Sequence, residues 1–275
     1  MDTAKLKIIQ EARQWLVQER VDIFLGYREL CGHKIPHGYT RDNLDELEGL
    51  CVSRNRYPLE KVAIHLAKKD SDLKIGLIAR DCNQRTLNVL YTWNQLDPKK
   101  VETIGVNCCP SPFKAHGDCS YLAPKTTGEY KQEHGIDYNA SPESILDTMG
   151  NKDRFSRWMY EFNKCIKCYG CRNICPVCFC KECSLEHEGL IEPGRLPPEV
   201  PIFHLVRATH MAGRCIDCGL CEDACPAHIP LRLLYREANE IVSDIFDFQP
   251  GSGLDNSPFS IIGDKIEAQL KPLDA

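Results

Sequence analysis

Long apolar runs are missing from this chain. No stretch of its 275 residues approaches the roughly 20 apolar residues that a membrane-spanning helix needs, so no transmembrane segment is expected. The opening residues, MDTAKLKIIQEARQW, are broken by charges throughout, unlike a signal peptide or a membrane anchor. No G-x-G-x-x-G follows a strand pattern and no G-x-x-x-x-G-K-[ST] occurs, which removes the dinucleotide fingerprint and the P-loop. No nucleophile stands in a convincing pattern with a base. Basic blocks are absent too, and with a formal net charge of −5 no nucleic-acid partner is expected. What is left is ordinary globular composition, 43% hydrophobic and 27% charged, in a chain long enough for two domains at about 100–200 residues each. A cytoplasmic protein, or one on the cytoplasmic side of a complex, is the expectation.

Cysteine is the residue in excess, with 17 in the chain. The stretch from Lys164 to Pro226 begins KCIKCYGCRNICP and ends RCIDCGLCEDACP. Aligned on Cys165 and Cys215, the two ends share C-I-x-C-x-x-C-x-x-x-C-P. Three thiolates at intervals of three residues let a tight loop wrap three corners of a cubane. The fourth Cys, followed by Pro, ligates the other cluster in two-cluster ferredoxins. The spacing therefore predicts two [4Fe–4S] clusters, one on Cys165, Cys168, Cys171 and Cys225, the other on Cys215, Cys218, Cys221 and Cys175. Structural zinc asks instead for two CxxC knuckles or Cys/His pairs around a tetrahedral ion. Disulfides suit neither such closely spaced runs nor a chain without a secretory signal. So many thiols and clusters also fit an anaerobic setting, since both are prone to oxidation.

Upstream, the pattern is α/β. An amphipathic helix opens the segment 3–30, with Leu6, Ile9, Trp15 and Leu16 on one side, and a short strand is expected at GYREL. A helix is expected around 61–68. Residues 74–79 (KIGLIA) read as a buried strand, 83–93 as a helix and 101–106 (VETIGV) as a second strand, which together make a βαβ unit with parallel strands. Ligands in such sheets sit beyond the carboxyl ends of the strands. Cys82 lies just past the first of these strands, and Cys108 and Cys109 just past the second. A long loop over 110–140 holds Cys119. Ser141-Pro142 starts a helix, and 153–163 forms another that delivers the chain to Cys165. Residues 192–201 are irregular, while 202–211 and 230–244 are helical. In the last of these, Leu231, Leu234, Ala238, Ile241 and Val242 are expected on the inner side.

The expected fold class is α/β, a small parallel-sheet domain followed by a helical two-cluster ferredoxin-type domain. Its parts are an α/β domain with the long loop over 1–140, the helical domain over 141–248 and an extended C-terminal tail over 249–275. Seven further thiols, Cys82, Cys108, Cys109, Cys119, Cys178, Cys180 and Cys183, are candidates for a third iron–sulfur cluster. Each taken alone reads as a small buried apolar residue. Cys31 and Cys51 read as structural thiols. His204 and His210, six apart on one helix, do not share the face that a metal pair wants. His116 and His134, in the long loop, fit a substrate contact less well than a solvated loop, and Arg80 and Arg85 beside Cys82 fit a salt bridge as well as an anionic cofactor.

The segment KIGLIARDCNQRTLNVLYTWNQLDPKKVETIGVNC, with KCIKCYGCRNICPVCFCKEC, resembles the beta-subunit family of deazaflavin-reducing hydrogenases and formate dehydrogenases. The resemblance runs from roughly Asp72 to Asp244. CGLCEDACPAHIPLRLLYREANEI is in addition similar to the helical ferredoxin domain of heterodisulfide reductase small subunits. Together they imply an electron-transfer subunit without substrate chemistry of its own. Its partners would be a formate dehydrogenase or hydrogenase type catalytic subunit and a heterodisulfide-reductase-like or flavoprotein subunit. Deazaflavin-reducing members carry their ferredoxin motif ahead of the α/β domain and bind FAD. Here the tandem motif lies behind that domain, and FAD is left open. The alternative is a catalytic subunit, bearing flavin or a third cluster, that reduces a soluble acceptor.

Overall fold

A computed structural model describes residues 3–51, 57–106, 149–192 and 194–259. It divides into two compact units, Met1–Lys114 with Gly251–Asn256, and Ala115–Pro250 with Ser257–Ala275. The expected boundary at 140/141, the loop over 110–140, the helix start at Ser141 and the tail beyond Phe259 lie outside the described residues, as do His116 and His134.

The first unit is α/β. Its strands are β1 (Ile23–Leu30), β2 (His33–Tyr39), β3 (Leu50–Cys51), β4 (Ile75–Ala79) and β5 (Val101–Gly105), and its helices α1 (Thr3–Val17), α2 (Leu59–Lys69) and α3 (Asp81–Thr92). The sheet order is β2-β1-β4-β5, with β3 also pairing with β1. β1, β4 and β5 run parallel, Ile75 lying opposite both Ile23 and Val101. All five residues of β4 are buried, as an unbroken apolar run requires when both faces of a parallel strand are covered. One face packs Phe24, Ile78 and Ile104 against Ile9, Ala12, Trp15 and Leu16 of α1. Alternation turns Leu25 and Leu77 to the opposite side, and α2 and α3 pack against β1 and β4.

The parallel core was legible, but the antiparallel hairpin beside it was not. β2 reads HKIPHGY and lacks the alternation of a half-buried strand. Its Pro36 is tolerated because β2 is an edge strand. The turn joining β1 to β2 places both Cys31 (φ 51°) and Gly32 (φ 77°) in the left-handed region, the backbone of a primed two-residue hairpin turn. β1 is therefore an interior strand of eight residues rather than the short strand expected at GYREL.

The second unit is helical. Its elements are α4 (Asn151–Asn163), α5 (Gly170–Asn173), α6 (Ile202–Met211), α7 (Leu220–Asp223) and α8 (Leu231–Phe246). α4 leads into the first cysteine motif and α6 into the second, so a helix, a loop and a one-turn helix recur in that order. α6 buries Phe203, His204, Arg207, Ala208 and Met211. His204 stacks on Phe162 of α4 with ring centres 4.6 Å apart, and Phe162 on Trp158 at 5.5 Å. On α8, Leu231, Leu234 and Val242 are buried as expected, but Ile241 is 60% exposed. The inner face turns instead through Arg232 and Tyr235, where a buried ion pair and a cysteine loop meet the helix.

Candidate metal centre

The two motifs follow the same backbone path. Lys167 and Tyr169 in the first, and Asp217 and Gly219 in the second, have φ between 51° and 74°. These are the positions two and four residues after the leading cysteine. Left-handed residues there turn the chain around its own thiols and point backbone N–H groups inward. Lys167 N donates to Cys165 Sγ at 3.4 Å and Gly170 N to Cys168 Sγ at 3.5 Å. The Asp217 backbone makes the matching bond to Cys215. An N–H aimed at sulfur favours the thiolate that a metal needs.

Each loop ends in a one-turn helix, α5 or α7, and these two pack together. Their approach is close. A Cβ on Gly170 would stand 3.1 Å from the carbonyl oxygen of Ala224 and 3.4 Å from Cys168 Sγ. That approach brings Cys225, at the end of the second motif, to the thiols of the first. Cys171, Cys225 and Cys168 are the thiols that act on Cys165. Cys218, Cys215 and Cys175 act on Cys221. Cys175, Cys215, Cys218 and Cys221 also line one cavity, together with Val177, Met211, Ile216 and Tyr235. The fourth cysteine of each motif thus stands with the other motif's first three.

Burial dominates the thiols' electrostatics. It pushes Cys165 up to about 11 and Cys215 up to about 12, and raises Cys171 and Cys221 as well. Unaided, these sulfurs hold their protons at neutral pH, so a cationic group must supply the charge that makes them ligands. Among the described residues, no three His, Cys, Asp or Glu side chains close on one point as a single metal ion requires. An all-thiol donor set, one quartet of which lines an apolar hollow, fits an iron–sulfur cluster.

Each loop is bolted to its surroundings. In the first, Lys167 Nζ donates to Glu192 O at 2.6 Å, Tyr169 OH to Leu185 O at 2.9 Å and Arg207 Nη2 to Cys171 O at 2.8 Å. In the second, α8 supplies the clamp. Asn239 Nδ2 donates to Cys215 O at 2.6 Å while its Oδ1 accepts from Gly213 N at 3.0 Å. Asp217 is held by Arg232 through two bonds of 2.5 and 2.9 Å, and by Arg236 at 3.1 Å. Neither Asp217 nor the arginines stood out in the sequence. The available signal was an arginine set among the apolar positions of an amphipathic helix, at 207 on α6 and at 232 on α8.

Three of the remaining candidate thiols each lie beside an arginine. Cys178 is 3.9 Å from Arg207 Nη1, Cys180 is 3.6 Å from Arg214 Nη1, and Cys183 bonds Arg172. Cys82 lies in the first turn of α3, in the first unit, where its carbonyl accepts from Thr86. Cys108, Cys109 and Cys119 lie outside the described residues. The fourteen described cysteines all carry free thiols. His204 is a core histidine and His210 is exposed.

Residues 208–230, which span the second motif, match the 4Fe-4S binding domain family. With the duplicated loop geometry, this gives the helical unit a 4Fe–4S binding segment. The chain is similar to the F420-dependent formate dehydrogenase subunit beta of Methanocaldococcus jannaschii, with 46% identity over 101 residues, 37% of this chain and 26% of that one. It is also similar to the F420-dependent formate dehydrogenase 1 subunit beta of Methanococcus maripaludis, with 39% identity over 128 residues, 42% of this chain and 33% of that one. The chain is in that sense an iron–sulfur relative of these beta subunits. It spans about a quarter to a third of the length of the curated relatives it matches. No helix among the described residues is long and apolar enough to cross a membrane.

Proposed function

We propose that the helical unit holds two [4Fe–4S] clusters, one on Cys165, Cys168, Cys171 and Cys225 and one on Cys215, Cys218, Cys221 and Cys175. We propose further that the chain serves as an electron-transfer subunit of an oxidoreductase complex of the formate dehydrogenase type. It would pass single electrons between a catalytic subunit and a second redox subunit, of heterodisulfide-reductase or flavoprotein type. One observation carries the ligand sets: each motif's fourth cysteine stands among the thiols of the other motif. A [4Fe–4S] cluster supplies reversible one-electron chemistry at a potential set by its surroundings. The chain's own part is to hold the thiols, to donate backbone N–H groups to sulfur and to keep the second quartet in an apolar hollow. The partner classes rest on the names of the similar beta subunits.

Anaerobic purification with iron, sulfide and flavin quantified together, followed by EPR of the reduced protein, tests this. The expected result is about eight irons per chain and two reducible clusters. Cys225→Ser should remove or alter the cluster built on Cys165, and Cys175→Ser the one built on Cys215. Zinc in place of iron, or each substitution acting on its own motif's cluster, refutes the assignment. About twelve irons would call for a third cluster among Cys82, Cys108, Cys109, Cys119, Cys178, Cys180 and Cys183. The F420 dependence of the similar proteins favours a second reading, in which FAD is bound and this chain itself reduces a soluble acceptor. Stoichiometric flavin in the purified protein would select that reading.

A further inference from the structure

Arg207 projects from α6 into the interior and is only 3% exposed. Its Nη2 donates to the carbonyl oxygen of Cys171, a residue of the first quartet, at 2.8 Å. Its guanidinium carbon lies 5.6 Å from the centre of the Tyr235 ring. Its Nη1 lies 3.9 Å from Cys178 Sγ, and among the described residues it makes no ion pair with a carboxylate. Tyr235 is itself buried and lines the cavity of Cys175, Cys215, Cys218 and Cys221. The Arg207–Tyr235 pair therefore links the first cysteine loop to the cavity of the second quartet.

A guanidinium this deeply buried ordinarily sits against a carboxylate, because an unbalanced buried charge is costly. Arg232, on α8 of the same unit, does so through Asp217. Arg207 faces sulfur instead. Two cubanes, each carrying four thiolates, would supply negative charge on both sides of it, and little water intervenes to screen the interaction. We infer that Arg207 is a fixed cation shared by the two clusters, stabilising the reduced state of both and so holding both reduction potentials up together. This rests on the ligand sets proposed above. Because a guanidinium does not deprotonate in this setting, its contribution is the same at every working pH. The role is electrostatic tuning, with no contact to a substrate.

The test is an anaerobic redox titration of the full chain followed by EPR, with iron and sulfide content measured for each variant. Arg207→Gln should lower the reduction equilibrium of both clusters by at least about tenfold, which for a one-electron couple is about 59 mV. Arg207→Lys, which keeps the charge, should stay within about threefold of wild type. Unmoved potentials in an iron-loaded Gln variant, or a shift in one cluster alone, overturn the inference. So does a Lys variant that shifts as far as the Gln variant, because packing would then be the cause. If the Gln variant takes up no iron, the Lys variant decides by the same limits, a tenfold fall counting against the inference. Wild-type protein without iron would remove the ligand sets, and the inference with them. Iron-loaded protein with unmoved potentials removes the inference alone.

Discussion

Substituting Asp217 by Asn isolates the ion pair beneath the second cysteine loop. Asp217 is 4% exposed and accepts hydrogen bonds from both Arg232 and Arg236. Arg232, on the first turn of α8, is almost as buried, with a side-chain exposure of 7%. Removing one partner of a buried pair costs about 3–5 kcal/mol, most of it from the charge left behind. Asn retains one acceptor oxygen but turns an amide N–H₂ toward a guanidinium, so a loss near 3 kcal/mol is expected at about the low end of that range. Because Asp217 lies between Cys215 and Cys218, the lost energy should appear as opening of this loop. An opening easier by about 3 kcal/mol is about a hundredfold more populated. Iron release to a chelator, followed anaerobically by loss of visible absorbance, should therefore accelerate about a hundredfold for half of the iron and little for the rest. Pairing Asp217→Asn with Arg232→Met, which removes the stranded charge, should recover at least about half of the loss. Release rates unchanged by Asp217→Asn, or a double variant as labile as the sum of the singles, would refute the reasoning.

Three further outcomes are expected. Burial raises Glu60 to about 7 from 4.5, ahead of the opposing hydrogen bond from Asn83 and the charge of Arg80. A carboxyl whose folded pKa is raised contributes stability below about pH 4.5 that fades as pH rises through 7, so the first unit should weaken by about 3 kcal/mol between those limits. Glu60→Gln should abolish that slope in pH-dependent denaturation, and an unchanged slope would count against it. Burial lowers His204 to about 4 from 6.5, with the charge of Arg207 adding to it. Its stabilising contribution is therefore present above pH 6.5 and lost as pH falls through 4, and His204→Phe should flatten this acid-side loss while keeping the stack on Phe162. Gly170→Ala places a methyl group 3.1 Å from Ala224 O and should cost about 1–3 kcal/mol. Cys225, next to Ala224, should be displaced most, so EPR should show the cluster built on Cys165 perturbed and the other intact.

The eight-cysteine pattern could be read without coordinates because ligand spacing is local. Three thiols three residues apart must lie on one tight loop, and a trailing C-P marks a ligand for the neighbouring site. The parallel strands around KIGLIA were equally legible, since an unbroken apolar run bounded by helix signals has few other uses. The hairpin strand HKIPHGY escaped because an edge strand tolerates proline, glycine and polar residues and so leaves no alternation to detect. Ile241 was misplaced because spacing along α8 defines a face only to within a turn, and Arg232 and Tyr235 claimed part of the interior. Tertiary structure alone decided that α5 and α7 meet at Gly170 and that Asp217 anchors α8. It alone set Arg207 against two groups of thiols, on residues 36 and 32 positions away at Cys171 and Cys175. Local spacing records what one loop can ligate. The charge that surrounds those thiols comes from helices distant in the chain, and only their packing reveals it.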